Sequence, residues 1–207
     1  MPEPSATLFL IRHAQADQGA DDGGLTRRGE EQARALAAAL GLREGDVLLS
    51  SPLRRARETA ALLDRRHDVV EALAEFDFGP DAPGMEEMMA ERSDLAVWRP
   101  DDGFRGGETL RAFQARVSAL LDELVRANLG ARVAGVTHAG VIDAAVRWAY
   151  GLGPEDAWTA EAGLPNASVT EIERWPRGRR PGGAPVFTIA HRVGDVSHLP
   201  RELVTEL

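Results

Sequence analysis

RVAGVTHAGVIDAAVRWAYG, residues 132–151, joins a short β-branched run to a helical pattern, with a single histidine between them. The first six residues have the composition of a buried strand. The stretch after His138 reads as a mostly buried helix that Gly151 closes. Immediately upstream, residues 108–128 carry Leu110, Phe113, Val117, Leu120, Leu121 and Leu124 at helical spacing, the longest amphipathic helix in the chain. A strand bracketed in this way by helices is the repeating unit of an α/β fold.

The same alternation recurs on the N-terminal side. TLFLI (7–11) and VLLS (47–50) read as buried strands, each followed by a helix. The first helix has Thr26 as its N-cap, Ala33, Leu36, Ala37 and Leu40 on one face, and Gly41 as its stop. Ser51 and Pro52 read as the N-cap and first position of the second, which runs through Leu53, Ala56, Ala60 and Leu63. Further on, ASVTEIERW (167–175) and APVFTIAHR (184–192) are β-rich runs separated by an arginine-rich loop. These elements predict an α/β sandwich with a largely parallel sheet. Without an internal repeat or a linker, residues 1–207 read as one domain. Residues 79–107, rich in Gly, Pro and acids around GMEEMMAER, read as an excursion over one edge of the sheet.

With 207 residues, 43% of them hydrophobic, the chain can bury a substantial core without staples. It has no cysteine, which excludes thiolate chemistry and fits a reducing compartment. No basic-then-apolar leader opens it and no apolar run is long enough to span a bilayer, so a cytoplasmic protein is expected. The net charge of −9 opposes nucleic acid and anionic membranes as partners. All 24 cationic residues are arginine, which rules out Schiff-base and P-loop lysine chemistry but leaves bidentate grip on phosphate or carboxylate.

Ligands of open α/β sheets bind beyond the carboxyl ends of the parallel strands. Arg12 and His13 follow the first strand, Arg55 follows the second and His138 the third. Four cation-capable residues far apart in sequence are thereby expected at one edge. Singly, each has an ordinary explanation: His138 could cap the next helix, and of Arg54, Arg55 and Arg57 only one need point inward. His67, His191 and His198 have no partners at useful spacing. A metal site fits poorly, because there is no HExxH, no Cys and no carboxylate–histidine cluster. No G-x-S-x-G nucleophile elbow occurs either. A metal-free and cofactor-free anion site is the expectation.

The ordered motifs resemble those of the histidine phosphatase superfamily, also called phosphoglycerate mutase-like. Ile11-Arg12-His13-Ala14 is similar to its strand and R-H-G, with alanine for glycine. LTRRGEEQA (25–33), SSPLRRARETA (50–60), LAEFDFG (73–79), GGET (106–109), VTHAGVI (136–142) and LPNASVTEIE (164–173) resemble its further blocks, in order. The resemblance implies a three-layer α/β/α sandwich with a mostly parallel sheet and an antiparallel edge strand, with the excursion covering the active site. It singles out Arg55. It makes His13 the nucleophile that becomes a phosphohistidine, with Arg12, Arg55 and His138 on the phosphoryl oxygens and Glu75 the proton donor to the leaving alcohol. The acid-phosphatase branch carries an aspartate right after the second histidine. Ala139 stands there, which favours Glu75, with Asp77 as the weaker candidate. The family's phosphate-contacting Asn after R-H is missing, since position 19 is Gly, and Gln15 or a backbone amide is the expected substitute.

The implied activity is hydrolysis of small phosphomonoesters, releasing inorganic phosphate. Two alternatives stand beside it, a cofactor-dependent phosphoglycerate mutase and a non-catalytic phosphate-binding domain. The excursion sets Arg92, Arg99 and Arg105 against seven acids, a balance that disfavours a multiply anionic sugar acid. Oligomeric state leaves no readable trace.

Overall fold

The computed structural model describes residues 4–17, 22–63, 66–80, 99–103, 106–176 and 186–205. In chain order the elements are β1 (Ala6–Arg12), α1 (Arg27–Leu40), β2 (Val47–Ser50), α2 (Arg54–Ala61), β3 (Asp68–Val69), α3 (Leu110–Ala127), β4 (Arg132–Thr137), α4 (Ala139–Ala149), β5 (Val169–Trp175) and β6 (Phe187–Asp195). Short 3-10 turns occupy Glu71–Leu73 and Arg201–Leu203.

The six strands form one sheet in the order β3-β2-β4-β1-β5-β6. Pairings among β3, β2, β4 and β1 are parallel, and β5 runs antiparallel to both β1 and β6. The parallel body and the antiparallel edge are those expected. The reversed strand is β5, second from the edge, and β6 closes the sheet outside it.

Alternation along β1 builds both cores. Ala6, Leu8 and Leu10 pack with Phe113, Val117 and Leu121 of α3 and Val141 and Ile142 of α4. Phe9 and Ile11 face the other way, against Leu36 of α1 and Ala56 and Ala60 of α2. A strand buried on both faces needs apolar side chains on both parities, which is why TLFLI is a continuous run. Helices therefore cover both faces, giving the three layers.

Thr26 and Thr109 cap α1 and α3 by accepting from the N–H of Gly29 and Ala112, and Gly41 ends α1 in the left-handed region at φ 55°. The second helix departs from the sequence reading. It starts at Arg54, after Leu53, and Ser51 does not cap it. Asp22, from the loop before α1, accepts from the Arg54 N–H at 2.7 Å in its place. Strand β3 is two residues long and had no pattern to announce it.

The chain visits β1, β2 and β3 with α1 and α2 on one face, then returns through α3 on the other face to insert β4 between β1 and β2. The carboxyl ends of β1, β2 and β4 lie side by side at that switch point. Arg12 is in register with Thr137, and Ser50 with Val136.

Candidate active site

Arg12 ends β1 with only 4% of its surface exposed. One terminal guanidinium nitrogen donates to the Leu164 carbonyl, and its Nε–H is buried with no partner among the described residues. His13 follows, held by its backbone to the Thr137 carbonyl at 2.8 Å. Its Nδ1 lies 2.8 Å from the Ala14 carbonyl oxygen, and the Nε of Arg55 lies 3.1 Å from its Nε2. A carbonyl can only accept and a guanidinium N–H can only donate, so the ring carries its proton on Nδ1 and presents a lone pair on Nε2. Burial, reinforced by Arg55 and Arg12, lowers the imidazole pKa to about 3 against the opposing pull of the Ala14 carbonyl. At neutral pH Nε2 is therefore unprotonated, with a lone pair that accepts from Arg55.

The loop that carries His13 is fixed from four sides. Its own carbonyl accepts from the Ala167 N–H at 3.2 Å and the Asn166 side-chain amide at 3.3 Å. Ala167 sits at φ 57°, a conformation that costs a non-glycine residue free energy and aims its N–H at this carbonyl. The Ala14 N–H donates to Thr59 Oγ1 of α2, and the Gln15 N–H to Gln32 Oε1 of α1. Gln32 in turn donates to Thr205 Oγ1 at 2.8 Å, whose hydroxyl donates to Asn166 Oδ1 at 3.0 Å. Gln32, Thr205 and Asn166 are all buried, so this chain of bonds is shielded from water. Gly29 allows α1 to come this close, since a Cβ there would stand 2.0 Å from the Gln15 carbonyl oxygen.

His138 has no exposed surface. It occupies the N-cap position of α4, yet its ring makes no cap bond and its Nε2 lies 2.7 Å from Ser51 Oγ. Its ring centroid is 5.1 Å from that of His13, tilted by 59°. Burial first, then His13, Arg55 and Arg12, hold its pKa well below the usual value.

Glu75 follows the 3-10 turn at Glu71–Leu73, which Thr137 ties to β4 by donating its hydroxyl to the Leu73 carbonyl at 2.7 Å. The carboxylate accepts from the N–H of Phe76 at 2.9 Å and of Gly140 at 3.3 Å. A Cβ at position 140 would stand 2.4 Å from Glu75 Oε1, so any larger residue there must displace the carboxylate. Burial raises the Glu75 pKa above the usual carboxyl range, against the pull of those two N–H groups, Arg55 and Arg12. Arg116 clamps the segment from behind, with bonds to the carbonyls of Ala72 and Ala74 at 2.8 and 3.1 Å and an ion pair to Glu108 at 2.8 Å.

Arg12, His13, Arg55, Glu75 and His138 thus meet at one edge of the sheet, and Arg55 is distinguished from its neighbours. Arg54 is exposed and paired with Glu58 at 2.7 Å, and Arg57 is exposed. Gln15 is differently engaged. Its side-chain oxygen accepts from Thr26 Oγ1 at 2.8 Å, tying the loop to the start of α1. Asp77 caps a local turn by accepting from the Gly79 N–H at 2.9 Å. The sequence reading missed the Ser51–His138 contact and the Gln32–Thr205–Asn166 chain; polar residues at apolar-looking positions 32 and 205 were the available signal. The two ends of the excursion meet beside Glu75, where the Glu108 N–H donates to the Asp77 carbonyl at 2.8 Å. Arg92 and Arg105 of the excursion lie outside the described residues. Among the described residues, no group of three or more His, Cys, Asp or Glu side chains is placed to hold a metal ion, and no helix is long and apolar enough to cross a membrane.

Comparison with known proteins identifies relatives along most of the chain. The chain is 34% identical over 202 residues to a glucosyl-3-phosphoglycerate phosphatase of Mycobacterium tuberculosis, covering 83% of this chain and 87% of that one. It is 31% identical over 181 residues to a putative phosphoserine phosphatase of Hydrogenobacter thermophilus, covering 80% and 88%. The solved mycobacterial glucosyl-3-phosphoglycerate phosphatase in complex with inorganic phosphate superposes with a TM-score of 0.74 at 28% identity, covering 94% of this chain and 99% of that one. Residues 8–181 match the model of the histidine phosphatase superfamily, branch 1, and the chain belongs to that family.

Proposed function

We propose that this protein hydrolyses small phosphomonoesters in two steps through a phosphohistidine at His13. The observation that carries the proposal is the fixed tautomer of His13, whose unprotonated Nε2 faces Arg55 with the His138 ring alongside. On substrate binding, Arg55 exchanges its bond to Nε2 for one to a phosphoryl oxygen, which frees the lone pair. Arg12, through its unpartnered Nε–H, and His138 take the remaining oxygens and offset charge in the transition state.

In the first step Nε2 bonds to phosphorus as the ester P–O bond breaks, and the departing alkoxide takes a proton from Glu75, whose pKa burial raises. In the second, Glu75 accepts a proton from water as the water oxygen bonds to phosphorus. The P–N bond breaks, its electron pair returns to Nε2, and inorganic phosphate leaves. Throughout, Nδ1–H stays on the Ala14 carbonyl, so the imidazole does not rotate.

We further infer that residues 1–207 form one domain; the described ends of the 79–107 excursion meet beside Glu75, and its middle lies outside the described residues. Gln15 acts through the loop, by its bond to Thr26. The relatives at 34% and 31% identity are named as phosphatases of substrates that each carry one phosphomonoester, which supports that substrate class. A cytoplasmic location fits a small-metabolite substrate.

Hydrolysis of p-nitrophenyl phosphate in EDTA, comparing the parent with His13→Ala, tests the proposal. It predicts turnover that EDTA leaves intact and the substitution abolishes; equal rates in the two proteins would sink it. Transfer to a second hydroxyl, the mutase reaction, predicts 2-phosphoglycerate from 3-phosphoglycerate supplied with catalytic 2,3-bisphosphoglycerate. Release of phosphate without that product is expected.

A further inference from the structure

We infer that Ser51 is a positioning residue that sets the tautomer of His138, turning its Nδ1–H toward the phosphoryl group. The inference rests on the phosphatase reading above for its consequence in turnover, but its structural content concerns the resting protein.

The chemistry of the contacts fixes the direction of each bond. Ser51 Oγ accepts from the Leu53 N–H at 3.3 Å, and lies 2.7 Å from His138 Nε2. Ser51 and His138 are both buried with no exposed surface. The hydroxyl proton must go to an acceptor or cost the free energy of a buried unsatisfied donor. Nε2 of His138 is the acceptor that faces it. A nitrogen that accepts carries no proton, so a neutral His138 carries its proton on Nδ1. Nδ1 is buried and has no partner among the described residues. With the opposite tautomer, Ser51 would receive two N–H donors and have no acceptor for its own proton. Nδ1 would then point a lone pair at the three phosphoryl oxygens.

Backbone geometry holds the relay in place. The Ser51 N–H donates to the Val136 carbonyl at 2.9 Å, so β2 ends in fixed register two residues before His138. Pro52, directly after Ser51, restricts that residue to extended backbone, which suits a residue just outside a strand and keeps Ser51 out of α2. The N-cap role that the sequence suggests for Ser51 passes to Asp22, and its hydroxyl is released for the histidine.

Long-range 1H–15N correlation spectra of histidine-labelled protein, with His138 assigned by loss of its signals in His138→Gln, read the tautomer directly. The parent is expected to show Nδ1–H with Nε2 unprotonated, and titration with inorganic phosphate to move the Nδ1 resonance. Ser51→Thr should keep both features. Ser51→Ala should lose the defined tautomer and bind inorganic phosphate about tenfold more weakly, the value of roughly one hydrogen bond. Should Ser51→Ala not fold, the parent and Ser51→Thr spectra decide alone. Protonation of His138 at Nε2 in the parent, an Nδ1 resonance unmoved by phosphate, or unchanged phosphate affinity in folded Ser51→Ala overturns the inference. Equal hydrolysis by parent and His13→Ala, with the expected tautomer present, would instead remove the phosphatase reading and leave this one standing.

Discussion

The guanidinium of Arg55 donates to His13 Nε2 at 3.1 Å while the opposite nitrogen of the same ring donates to its neighbour's carbonyl at 2.8 Å. The imidazole is thus held at both ends with its reactive nitrogen covered by a cation. In the proposed reaction, an anion arriving at the site competes for Arg55 and uncovers Nε2 in the same event.

Replacing His13 by Ala should lower p-nitrophenyl phosphate turnover by about 10³-fold or more, because the nucleophile acts in both steps. Rapid quench of the parent should trap a covalent phosphate that is labile to acid and stable to base, as a phosphoramidate is. A trapped phosphate with the reverse stability would place the covalent bond on an oxygen.

Glu75→Gln should reduce turnover of alkyl phosphates by roughly 10²-fold and that of p-nitrophenyl phosphate far less, since a good leaving group needs no proton. Gly140→Ala should mimic it by pushing the carboxylate away from its Cβ. A uniform loss across leaving groups in either variant would count against proton donation by Glu75.

The acid and base sides of stability belong to different residues. The native pKa of His13 is about 3 and its unfolded value 6.5, so between those limits the unfolded chain holds a proton the native state lacks, and stability falls as pH drops through the window. Glu75 has the opposite sign. Its raised native pKa makes its contribution fullest below the unfolded value of 4.5 and lost as pH rises. Urea midpoints measured from pH 7 to pH 4 should decline less steeply in His13→Gln than in the parent. An unaltered slope would mean the imidazole is not buried as a neutral ring.

Thr205→Val should cost about 2 kcal/mol of stability, because it strands Gln32 and Asn166 without one partner each. Since Asn166 holds the His13 carbonyl, kcat should fall while KM changes little. A denaturant midpoint and kcat both equal to the parent's would show the chain of bonds to be incidental.

Arg116→Ala should cost roughly 2 kcal/mol and repeat the leaving-group selectivity of Glu75→Gln, since it releases the Ala72 and Ala74 carbonyls behind the acid. In a Glu75→Gln background the same substitution should lower stability with little further loss of turnover. An additive loss would assign Arg116 a separate role.

Much of this was legible in the sequence for a physical reason. TLFLI, VLLS and RVAGVT are buried on both faces, and such strands announce themselves by continuous apolar runs. Residues directly after parallel strands gather at one edge of an α/β sheet whatever their separation in sequence, which located Arg12, His13 and His138. Arg55 needed the family motif, because a helical stretch of three arginines has no internal sign of which one turns inward. The relay at Ser51 was hidden by its neighbour. Ser-Pro before a helix has the local chemistry of a cap, and a partner eighty-seven positions away overrides it. Strand β3, with two residues, is too short to carry any period.

Strand β1 lies in the middle of the sheet, yet both of its neighbours, β4 and β5, are encoded more than a hundred residues later. During synthesis the segment bearing Arg12 and His13 leaves the ribosome well before residues 132–175, which shelter it, and before Thr205, which locks its loop. Topology of this kind makes folding slow and non-local. It also delays the assembly of the site: a nascent chain that has made Arg12 and His13 cannot bring them beside Arg55 and His138 until residues 132–175 have followed.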